Sequence, residues 1–181
     1  MRLICGLCGE RLLRVLDPYN IAVCAEREII AGMPVSKKTA PSHKAMQLRR
    51  SKRLFLPLAR EDAEKVVLRC RMALESIRRG DGDRTAADLM ASTLLLTTFL
   101  TEAGHGLLLM SLLEETERML FDTLNIGMQT GIWVFAEPLI RNLMTVVNEH
   151  DRQLRETRLQ AVIEASSRLD RYIDKQKAGA D

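Results

Sequence analysis

The chain has 181 residues, of which 46% are hydrophobic, 28% charged and 4% aromatic, and its formal net charge is +3. The apolar share is too high and the net charge too low for a disordered chain. Ten Gly and five Pro exclude collagen-like and low-complexity classes, and the length suits one globular domain with an appendage.

The small net charge conceals a division. Residues 1–60 carry a balance of +8 and residues 61–181 one of −5. The pattern divides the chain into a cysteine-containing N-terminal segment (1–34), a basic arm (35–57) and a helical bundle (58–178).

In the first segment, Cys5-Gly-Leu-Cys8-Gly9 has the spacing of a zinc-ribbon knuckle. A closed zinc site needs four ligands. Cys24 is a candidate third ligand, but Ala-Glu-Arg follows it and no second knuckle forms. His43 reaches the site only if the arm folds back. The competing reading is reduced thiols without metal, because four irregularly spaced cysteines make no disulfide framework in a chain this long. Glu10 interrupts the apolar start MRLICGLCGE before a secretory core develops, so a cytoplasmic location is expected.

From Lys37 to Arg60 no acid occurs, while Lys37, Lys38, Lys44, Arg49, Arg50, Lys52 and Arg53 accumulate between Pro34 and Pro57. Such a run repels itself and is expected to be extended. It would contact nucleic acid by releasing counterions from phosphates, without reading sequence. The alternatives are an acidic protein partner or a solvated linker. Phe55 is the one aromatic nearby, which disfavours base stacking.

Helical periodicity begins at Leu58. Glu61, Asp62 and Glu64 near the start, Arg78 and Arg79 near the end, and Gly80 beyond predict a first helix over 58–79. Asp83 is a suitable N-cap for a second helix to about Ala103, apolar almost all round and therefore central. Gly104-His105-Gly106 ends it. A third helix is predicted over 108–125, stopping at Gly127, with Leu109, Leu112, Leu113, Met119, Leu120 and Leu124 inward and Glu114, Glu115 and Glu117 in water.

Residues 129–136 read as a connection, and its Trp133 is expected in the core in preference to a partner surface. Pro138 then opens a last helix approaching ~40 residues, since no Gly or Pro follows until Gly179. Its apolar stripe steps by five from Leu154 to Leu159, so the helix either bends there or changes partner. A helix this long suggests a homodimer contact. The richest apolar window, Leu89–Leu113, contains Glu102, His105, Gly104 and Gly106, so no membrane span is expected. The predicted fold is an all-α four-helix bundle with a long C-terminal helix and a basic, irregular N-terminal region.

Motifs for chemistry are sparse. Glu102-Ala-Gly-His105 has the spacing of a di-iron ligand pair but lacks a second copy. His150, beside Glu149 and Asp151, lies on the apolar stripe, which favours a hydrogen-bonded core histidine over acid–base work. Asp81-Gly-Asp83 lacks the later residues of a calcium loop. A helix-turn-helix over Leu95–Phe121 would present Glu114, Glu115 and Glu117 to phosphates. G-x-S-x-G and Walker motifs are absent, so a non-enzymatic protein is expected.

The stretches LPLARED, ALESIRRGDGD and VNEHDRQL resemble small helical proteobacterial proteins, some labelled Fis-type regulators. The resemblance spans most of residues 54–173. It rests on general helix-loop wording and no catalytic motif, and it transfers no functional residues. The sequence is compatible with a regulator or adaptor touching nucleic acid through its arm, a dimeric protein-interaction scaffold, or a zinc-binding accessory factor.

Overall fold

The computed structural model describes residues 52–178. These are all-helical: α1 (Arg60–Arg78), α2 (Arg84–Leu100), a π-helical turn (Thr101–His105), α3 (Met110–Thr130), α4 (Glu137–Glu156) and α5 (Leu159–Ala178). Among the described residues no helix is long and apolar enough to cross a membrane.

α1 follows its local signals closely. Glu61 and Asp62 occupy the first turn and Arg78 the last, matching the helix dipole. At the end, Asp81 N–H donates to Ser76 O and Gly80 N–H to Ile77 O, the two bonds of a Schellman motif. Gly80 holds the required left-handed conformation at φ +83°. Asp83 starts α2 from extended backbone, its carboxylate accepting from Ala86 N–H at 2.8 Å.

α2 packs against each of α1, α3, α4 and α5, and residues 90–100 are all buried. A helix buried on every side must satisfy its polar groups internally. Ser92, Thr93, Thr97, Thr98 and Thr101 do so by donating to the carbonyls of Asp88, Leu89, Thr93, Leu94 and Thr97, one turn back. The hydroxyl protons are spent on the helix itself, which leaves the Thr97 and Thr101 oxygens able to accept from α4.

α4 lies antiparallel to α1, with Arg71 Nη2 3.0 Å from Asp151 and Arg155 near Glu64. α5 returns to α2, where Tyr172 meets Phe99 edge-on at 6.4 Å. Arg168 sits 4.1 Å above the Phe99 ring and pairs with Glu102.

Three boundaries differ from expectation. α3 continues through Gly127 to Thr130 and ends at Gly131 (φ +73°), because Gly127 is needed inside the helix for close packing against Trp133. Leu109, expected inside, occupies the N-cap position of α3 and is exposed. The single last helix is two helices, α4 and α5, parted at Thr157 and Arg158. There the backbone pairs with Pro57, and Leu159 N–H donates to Leu56 O at 2.8 Å. The five-residue step in the stripe marks this break, and α5 thereafter buries its stripe on α2.

Candidate nucleic-acid interface

Lys37, Lys38, Lys44, Arg49 and Arg50 lie outside the described residues, as do Cys5, Cys8, Cys24 and His43. Lys52 and Arg53 are described, and both are exposed on a helical turn at 52–54. Phe55 N–H and Leu56 N–H close this turn on the carbonyls of Lys52 and Arg53. The next residues are fixed by the Pro57–Arg158 pairing and by the Leu56–Leu159 bond. The described end of the basic segment is thus anchored at the α4–α5 junction.

This anchorage adds a cation that sequence reasoning missed. Arg158 is exposed and directly across the backbone pairing from Pro57, so it stands beside the root of the basic run. Arg60, also exposed, follows at the start of α1, where its Nε donates to Glu64 at 2.8 Å. Nothing local in the sequence links residue 158 to residue 53. The stripe's five-residue step marks where the chain turns, and the Pro57 pairing supplies the neighbour.

α3 has the opposite sign. Glu114 and Glu115 are exposed, and Glu117 is half-buried. Burial, reinforced by Glu102 and Glu114, pushes the Glu117 carboxyl above the usual range. A duplex would be repelled from this face. The segment sought as a helix-turn-helix is accordingly α2, the π turn and an acidic α3.

The two histidine readings resolve into structure. Glu102 is exposed and paired with Arg168, and the carbonyl of His105 accepts from Arg152 at 2.7 Å. Among the described residues no group of three or more His, Cys, Asp or Glu is placed to hold a metal. His150 is buried between α4 and α2, its Nδ1 3.2 Å from Thr97 Oγ1. The Thr97 hydroxyl has one proton and gives it to Thr93 O at 2.8 Å. The bond therefore requires a proton on Nδ1 of the neutral ring. Burial draws the imidazole down to about 4, with Asp151 opposing. A ring locked neutral inside the core is a packing element.

One turn on, Gln153 Nε2 donates to Thr97 O and to Thr101 Oγ1 at 3.3 and 3.1 Å. Glu149, buried, accepts from Leu107 N–H at 2.7 Å and from Arg152 through both carboxylate oxygens. The Arg152 guanidinium holds the Glu149 carboxyl below its ordinary range, with the Leu107 amide adding to the effect. Glu149 and Arg152 together clamp both sides of Gly106, the connection that leads from the π turn into α3. These polar groups position backbone.

No family model matches the chain, and no curated protein or solved structure matches it.

Proposed function

We propose that this chain is a non-enzymatic regulatory or adaptor protein of the cytoplasm that contacts nucleic acid through Lys37, Lys38, Lys44, Arg49, Arg50, Lys52 and Arg53. A four-helix body, α1–α4, braced by α5, carries that segment. The observation that supports this reading is the anchorage of its C-terminal end: Lys52 and Arg53 are exposed, and Arg158 is brought beside their root. A basic segment carried on a helical body gains affinity by counterion release while the acidic α3 face points phosphate elsewhere.

The test is fluorescence-anisotropy titration of a random-sequence duplex at several salt concentrations. The expected result is binding whose logarithm falls linearly with log salt, with a slope of about −0.9 per phosphate neutralised. Replacing Arg49, Arg50, Lys52 and Arg53 with Ala removes binding. Failure of the protein to bind the duplex at low salt overturns the reading.

A second reading, a protein-interaction scaffold, is favoured by exposed apolar side chains. Leu107 and Leu109, both 74% exposed, flank the entry to α3. Such a partner would bind with little salt dependence. The zinc reading rests on Cys5, Cys8 and Cys24, and it requires bound metal that is lost on Cys5→Ser and Cys8→Ser substitution.

A further inference from the structure

α1 buries one face against α2 and α4 and leaves its opposite face open. That open face carries Leu68 and Met72, 59% and 64% exposed and one turn apart. Around them, Glu61, Lys65, Leu68, Met72, Glu75 and Arg79 recur at alternating steps of four and three, the spacing of a helix-pairing seam. Isolated exposed apolar residues are ordinary, but two on one seam bordered by ordered charges are a surface with a register.

We infer that this face pairs with the same face of a second copy, α1 against α1 in antiparallel orientation about a two-fold axis near Cys70. The charge order supports this occupant. In that register Leu68 meets Met72 of the second copy, Lys65 meets Glu75 and Glu61 meets Arg79, each pair occurring twice by symmetry. A parallel pairing would set each of these charges against its own kind. Arg69 and Arg71 flank the seam on its two sides, and Arg71 is held toward α4 by Asp151 at 3.0 Å.

The monomer's own pairs on this face are short-range and exposed: Glu75 with Arg78 and Arg79, and Lys65 with Asp62. Pairs of this kind are individually weak and exchange partners readily. α5 offers no comparable face, since none of its large apolar side chains is among the exposed ones. The seam is about 28 Å long at the helical rise, so the interface is small and the dimer concentration-dependent. This pairing does not depend on nucleic-acid binding.

Sedimentation equilibrium of the full chain from ~1 to ~500 µM tests it across the affinities expected of small interfaces. A monomer–dimer equilibrium is expected. Glu75→Lys, which turns two attractive contacts into repulsive ones, weakens it by about tenfold or more. Lys65→Glu combined with Glu75→Lys restores it to within about threefold of the wild type, because the swapped charges again oppose. Met72→Glu abolishes it, with circular dichroism confirming that the variant stays helical. A wild type that is monomeric throughout, whether another segment or another protein occupies this face, overturns the inference. So does a dimer indifferent to Met72→Glu, or a charge swap that fails to restore.

Discussion

Trp133 packs so closely on Gly127 of α3 that a Cβ on the glycine would lie 2.4 Å from the indole Cε3. In an open helix, Gly→Ala stabilises by up to about 1 kcal/mol. Here the contact reverses the sign, because the indole ring is rigid and is itself packed on the core. Gly127→Ala is expected to destabilise the fold by roughly 1–3 kcal/mol in urea unfolding. In a Trp133→Ala background the same change should cost less, and equal costs in the two backgrounds would show that the contact is not the cause.

The buried ring of His150 makes stability depend on pH. Its folded pKa, about 4, lies below the ordinary histidine value, so the unfolded chain takes up the proton first as pH falls. Stability is therefore full above about pH 6.5, declines between about pH 6.5 and 4, and loses on the order of 3 kcal/mol from this group across that window. Urea midpoints of the wild type and His150→Gln, compared at each pH, isolate the contribution. The variant should lack that part of the decline.

Removing Glu149 frees the segment that leads into α3. Its carboxylate accepts from Leu107 N–H and is held by Arg152, which also reaches the carbonyl of His105. Glu149→Ala should raise the hydrogen-exchange rate of the Leu107 amide while leaving the amides of α1 protected. Arg152→Ala leaves a buried carboxylate without its cation and should cost about 2–4 kcal/mol. Unchanged exchange at Leu107 would remove the clamp from the account.

The cap of α2 provides a control of known size. Asp83 accepts from Ala86 N–H at 2.8 Å, so Asp83→Ala should cost about 1 kcal/mol and Asp83→Asn much less. Chemical denaturation of the two variants measures the difference.

These positions also mark how far the sequence could be read. Asp83, Gly80 and the buried character of α2 were legible because capping and hydrophobic pattern act over a few residues. Gly127 reads as the stop signal of α3, yet the helix ends at Gly131. Only the indole against Gly127 tells them apart, since that glycine is required for close approach and the other for φ +73°. Of the basic segment, the sequence displayed the charges but not Arg158, whose place beside them depends on a backbone pairing with Pro57.

By itself, then, the sequence determined the all-helical class, the starts and ends of helices with local punctuation, and the separation of a basic N-terminal part from an acidic remainder. Periodicity, caps and charge density are properties of neighbouring residues. The tertiary structure decided where the last helix divides: at Thr157 and Arg158 there is no glycine or proline, and a carbonyl of distant Leu56 meets the Leu159 N–H exposed by the break. It also decided which charges are spent. Glu149 and Arg152 lock a loop within the fold, whereas the charges around Leu68 and Met72 remain at the surface of α1, because burial against another helix depends on contacts far along the chain.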